Sequence, residues 1–130
     1  MDPHRLKSIP LFADLSRHER AEIARWADEV DVPAGKHLVD QGDFAYEFFV
    51  IEDGHAEVTA GGKRLADLGA GEFFGEIALI EADRRTASVV ALSPMTVIVM
   101  HARDFRAMEA EMPKVAERVQ QKLRERVERS

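Results

Sequence analysis

Apolar positions at the start of the chain, Leu6, Ile9, Leu11, Phe12 and Leu15, predict a helical opening that Pro10 interrupts, because proline has no N–H to give to a helix. Ser16-Arg17-His18-Glu19 then has the form of a capping box, and Ala21, Ile23, Ala24, Trp26 and Ala27 follow as one stripe. The pattern predicts a helix to about Asp28. From Val30 the period changes, and short apolar pieces are separated by glycine-bearing turns. Val30 and Val32 precede Pro33-Ala34-Gly35, Leu38 and Val39 precede Gln41-Gly42-Asp43, and Phe48 to Ile51 precede Glu52-Asp53-Gly54. Further strands are predicted at Ala56 to Ala60, Lys63 to Leu68, Ser88 to Leu92 and Thr96 to Met100, with Gly61-Gly62 and Ser93-Pro94 as turns. Many short strands at near-regular spacing predict a small antiparallel sandwich or barrel. Helix returns with Asp104 or a residue nearby as cap and Phe105 and Met108 as packing face, and Pro113 breaks it. Val115, Val119, Leu123 and Val127 then recur every four residues along a helix about 25 Å long. No repeat or linker divides the chain, so one domain is expected: helices over 1–28, strands over 29–100, helices over 101–130.

Composition narrows the class. In 130 residues, 45% are apolar and 32% charged, which fits a folded globular domain and neither a disordered nor a fibrous chain. There is no cysteine, which removes disulfides, thiolate metal sites and a cysteine nucleophile. No apolar run approaches the roughly 18 residues of a membrane span, so a cytoplasmic location is expected. A net charge of −6 argues against general nucleic-acid binding, and no direct DNA contact is expected. The exception to the acidic balance is the stretch from Lys114, where Arg118, Lys122, Arg124, Arg126 and Arg129 outnumber Glu117, Glu125 and Glu128. Its plainest reading is a solvated helix face. His4, His18, His37, His55 and His101 share no short spacing, so no metal site is expected. Glu76 beside His55 or His101 lacks any accompanying nucleophile, so no enzyme activity is expected either.

The stretch from Gly69 to Val89 carries the chemistry. Gly75 allows backbone to approach a ligand, and Glu76 to Ile80 form a helical turn whose free N–H groups suit an anion. Arg85 supplies a fixed countercharge, since a guanidinium fork matches two phosphate oxygens. Glu76 beside a phosphate would be repulsive unless it accepts from another donor. A ribose hydroxyl, one sugar away, is such a donor.

Phe74-Gly75-Glu76-Ile77-Ala78-Leu79 followed by Arg85-Thr86-Ala87-Ser88-Val89 resembles the phosphate-binding cassette of cyclic-nucleotide-binding domains. Such domains occur in kinase regulatory subunits, cyclic-nucleotide-gated channels and catabolite-activator-type regulators. The resemblance extends through the turns at Pro33-Ala34-Gly35, Gln41-Gly42-Asp43 and Asp53-Gly54. It implies a mainly β fold, an eight-stranded antiparallel jelly-roll-like barrel with flanking helices and a cassette at 74–89. It implies cAMP or cGMP as ligand and no prosthetic group. By the resemblance, Glu76 takes the ribose 2′-hydroxyl, Arg85 the cyclic phosphate, and Gly75, Ala78 and Ala87 offer backbone, within a cassette that includes Phe74 and Ile77. Thr86 would bond the phosphate and admit the guanine amino group of a syn base. Val58 and Ala66 would line the base slot, Leu123 and Val127 would close it, and Arg126 would meet the base. A sensor, stand-alone or excised from a longer chain, would then report to an unidentified effector through the last helix. The alternative is a degenerate member that binds no ligand, with Glu76 and Arg85 as a structural ion pair, serving as a protein-interaction module. Met112, Ala116, Val119 and Leu123 could instead seam a homodimer.

Overall fold

Asp2 caps a 3-10 turn over Pro3–Ser8, its carboxylate accepting from the His4 N–H at 2.9 Å. A second 3-10 turn, Pro10–Phe12, starts on the proline, where a missing N–H costs nothing. This computed structural model describes residues 1–80 and 84–129, the side chains of 127–129 excepted, so Val127 as a lid and cassette positions 81–83 fall outside the described residues. Ser16 caps α1 (Arg17–Trp26) with both halves of the capping box: Glu19 N–H donates to Ser16 Oγ at 3.1 Å, and Ser16 N–H donates to the Glu19 carboxylate at 2.9 Å. The helix stops short of the expected Asp28. Ala27 instead opens β1 (Ala27–Val32), and strand pairing from Ala27↔Met100 to Val32↔Met95 takes the backbone that a longer helix would need.

The chain continues through β2 (His37–Val39), β3 (Glu47–Asp53), β4 (Ala56–Ala60), β5 (Lys63–Leu68), β6 (Phe73–Phe74), α2 (Glu76–Ile80), β7 (Ser88–Ala91), β8 (Met95–His101), α3 (Ala102–Glu111) and α4 (Pro113–Arg129). Eight antiparallel strands form two four-stranded sheets, ordered β1-β8-β3-β6 and β2-β7-β4-β5. The fold is thus the expected β-roll with flanking helices, built as two sheets and not as one closed barrel. Strand β3 explains the layering. Phe48 and Val50 face a core shared with Leu6, Phe12, Ile23, Phe105, Met108 and Val119 of the helical layer. Phe49 and Ile51 face the second core, between the sheets, with Ala56, Leu68, Val89 and Val97. An apolar run without alternation is what a strand buried on both faces requires.

α3 begins at Ala102, two residues before Asp104, so its cap falls three residues ahead of that position. His101, the last residue of β8, stands at the cap, and Ala102 N–H donates to Tyr46 O at 2.8 Å. α4 is fixed early in its length: Arg118 donates to Pro10 O at 2.6 Å and Leu11 O at 3.2 Å, and pairs with Asp14. Of the stripe that could seam a homodimer, Met112, Val119 and Leu123 are buried within the chain and Ala116 is half-buried. Among the described residues no helix is long and apolar enough to cross a membrane.

Candidate functional site

Among the described residues, the buried charged side chains are Glu76, at 0% exposure, and Arg85, at 6%. Both line one cleft of about 520 Å³, bounded by β4, β5, the β6–α2 segment and the outer face of α4. Buried charges are costly unless held by partners.

Arg85 is held by backbone. Its Nη1 donates to Gly75 O at 3.1 Å and its Nη2 to Glu47 O at 2.6 Å. Its own N–H donates to Asp43 O at 2.7 Å, and its carbonyl accepts from Gly42 N–H at 2.9 Å. The guanidinium has five N–H donors, and these two side-chain bonds leave three for a ligand. It lies 5.9 Å from the Phe49 ring, which stacks on Phe74 at 4.7 Å. Burial pulls its pKa down and the charges of Glu47 and Glu76 pull it up; an arginine stays protonated throughout. Gly75 makes this packing possible. Its φ is +98°, and a Cβ there would stand 2.9 Å from Arg85 Nη1 and 3.0 Å from Glu47 O.

Glu76, the first residue of α2, is held by charge. Its Oε1 pairs with Arg126 Nη1, and Arg126 Nη2 donates to Phe73 O at 2.6 Å. Its Oε2 is buried with no hydrogen-bond partner among the described residues. Burial raises the pKa of this carboxyl, opposed chiefly by the Arg126 charge and also by its own backbone N–H and Lys122. The expected alternative of a Glu76–Arg85 structural ion pair does not hold: the carboxylate pairs with Arg126.

The structure brings most of the sequence-predicted positions to this cleft. Val58 and Ala66 are cross-strand partners on β4 and β5, and both line it half-buried. Phe74, Gly75, Ile77, Ala78, Thr86 and Ala87 line the cassette wall, with Thr86 exposed. Leu123 is buried but is not on the cleft wall. Arg126 is on the wall, yet its hydrogen bonds run to Glu76 and Phe73. Sequence reasoning missed Lys122 and Glu125, which line the cleft at i, i+3 and i+4 spacing with Arg126. It also missed Leu65, 61% exposed on the cleft rim, and the Glu47 carbonyl. Arg84 is exposed, and its guanidinium lies 4.2 Å from the Phe44 ring centre and donates to Gly42 O. Among the described residues no three His, Cys, Asp or Glu side chains cluster as a metal site.

A family model described as "Cyclic nucleotide-binding domain" matches residues 29–111. A cyclic nucleotide-gated potassium channel of Rhizobium etli is 34% identical over 119 residues, covering 92% of this chain and 33% of the channel. The cAMP-dependent protein kinase regulatory subunit of Schizosaccharomyces pombe is 39% identical over 87 residues, 66% of this chain and 21% of the subunit. Among solved structures, the regulatory domain of Toxoplasma gondii PKA with cAMP superposes with a TM-score of 0.81 at 26% identity, covering 95% of this chain and 48% of that one. The fold is that of a nucleotide-binding module. This chain belongs to the cyclic nucleotide-binding domain family. It spans about a third of the channel's length and about a fifth of the kinase subunit's.

Proposed function

We propose that the cleft takes a 3′,5′-cyclic purine nucleotide, cAMP with cGMP also admitted, and that binding is reported through α4 to an effector in the cytoplasm. The observation that carries this is the pairing of two buried charges of opposite sign on one cleft, each with unused bonding capacity. Arg85 has three free N–H donors for the cyclic phosphate, and Glu76 Oε2 has no partner until a hydroxyl donates to it. The cyclic diester presents acceptors only, and the ribose 2′-hydroxyl beside it is the donor. Val58 and Ala66 give the base an apolar floor, and the Thr86 hydroxyl bonds the phosphate and the amino group of a syn guanine. The cAMP in the Toxoplasma relative supports the same ligand class.

The distal face of α4 supplies Lys122, Glu125 and Arg126 to the opposite wall. A ligand touching both walls gains contacts only when α4 is docked, and it shifts the population toward that arrangement. Calorimetric titration of the wild type and Arg85→Ala with cAMP and cGMP tests the proposal. Wild type is expected to bind, and Arg85→Ala to lose about 30-fold or more in affinity, the loss expected for removing one partner of a buried charge pair. No heat and no melting shift with either nucleotide at millimolar concentration would falsify it, and the protein-interaction module would stand in its place.

A further inference from the structure

The resemblance implies a place for Arg126 at the base; its hydrogen bonds run to Glu76 and to the Phe73 carbonyl. Nη1 engages Oε1 of Glu76 and Nη2 the Phe73 carbonyl, so one guanidinium ties α4 to the first residue of β6 and to the first residue of α2. Its side chain is 17% exposed and the carboxylate 0%, so water screens the pair little. We propose that Arg126 is a positioning residue for the sugar end of the cleft: reaching from α4, it holds Glu76 through Oε1 and so presents Oε2 to the ligand as a carboxylate acceptor. The reading of Oε2 as a ribose-hydroxyl acceptor rests on the function proposed above; the hold on Glu76 does not.

The physical need is plain. A carboxyl with no exposure and no cationic partner takes up a proton, and a neutral acid is a weaker acceptor for a sugar hydroxyl than a carboxylate. Arg126 removes that difficulty and stays charged at every accessible pH. The other charges facing Glu76 are Lys122 on α4 and Arg85 on the cassette. Lys122 lies 3.7 Å from Glu125, which draws part of its charge, and Arg85 is bound to the Gly75 and Glu47 carbonyls. Asp67, Glu72 and Glu125 are the other acidic side chains that line the same cleft. Arg126 is the cation with an N–H on the carboxylate itself.

Two consequences separate this from a base contact. Loss of Arg126 weakens every cyclic nucleotide by a similar factor, whatever its base. The loss also deepens as pH falls, because Glu76 protonates from a higher pH once its partner is gone. The experiment has two arms on the folded chain. In the first, without nucleotide, the 13C signal of the Glu76 side-chain carboxyl, assigned against Glu76→Gln, is titrated in wild type, Arg126→Gln and Arg126→Lys. The midpoint is expected to rise in Arg126→Gln and to return partway in Arg126→Lys, which keeps the charge and the native helix. An unmoved midpoint overturns the proposal. In the second arm, cAMP, cGMP and cyclic CMP are titrated into the same proteins, with a loss of about 30-fold expected for all three in Arg126→Gln. Loss confined to the two purines returns Arg126 to the base and overturns the positioning role. If wild type binds none of the three while the midpoint still moves, the nucleotide reading has failed and the hold on Glu76 stands.

Discussion

Two arginines face the cleft and are held in opposite ways. Arg85 belongs to the β-roll, and the groups that fix it are main-chain carbonyls of Gly75 and Glu47, which do not titrate and have no rotamers. Arg126 belongs to α4, and its hold is a carboxylate on a short helix together with a single carbonyl. One wall is therefore set once the strands pair, while the other depends on an ionisation and on where a helix lies. On the function proposed above, the difference would give recognition and response to separate elements.

The sharpest attack on the fixed wall is Gly75→Ala. At φ +98° a side chain is strained, and its Cβ meets Arg85 Nη1 at 2.9 Å. The expected cost is about 2 kcal/mol in folding stability by urea melts and about tenfold or more in nucleotide affinity. Unchanged affinity would show that Arg85 does not need this backbone hold.

The responsive wall is tested by pH. The folded-state pKa of Glu76 is raised above its ordinary 4.5, so its contribution to stability is complete below that value and is lost as pH rises through the higher folded one. Wild type should accordingly gain stability relative to Glu76→Gln as pH is lowered through that window, a smaller effect than that of Gly75→Ala. A gap between the two proteins that is flat with pH would put Glu76 in water, contrary to its burial. The smallest effect is expected at the exposed edge of the cleft. Thr86→Ala should weaken cGMP more than cAMP by about fivefold, one neutral hydrogen bond, in competition titrations. Equal losses would remove Thr86 from base discrimination.

How much of this the sequence discloses depends on whether the determinant is a side-chain pattern. β4 and β5 fall where the apolar runs between turns place them, and α2 spans Glu76–Ile80 as expected. β6 does not show, because two residues, Phe73 and Phe74, have no period to read. The end of α1 is misread for a related reason: Ala27 continues the helical stripe, but pairing with Met100 takes it into a strand. In the site, Glu76 and Arg85 are legible from their cassette spacing, and their holders are not. A carbonyl of Glu47, thirty-eight positions from Arg85, leaves no mark in residue type. On α4 the apolar stripe draws attention to Leu123, which turns inward, and away from the charged neighbours Lys122 and Glu125, which make the wall.

Arg85 is tied at both ends, its main chain to the turn at Gly42 and Asp43 and its guanidinium to Gly75 and Glu47. A free arginine has up to about 2 kcal/mol of rotamer entropy to lose on being fixed. Here that loss has occurred during folding, before any anion arrives. On the function proposed above, phosphate capture would then demand little ordering on this side of the cleft, and the conformational entropy that binding must still overcome would reside in the nucleotide and in α4.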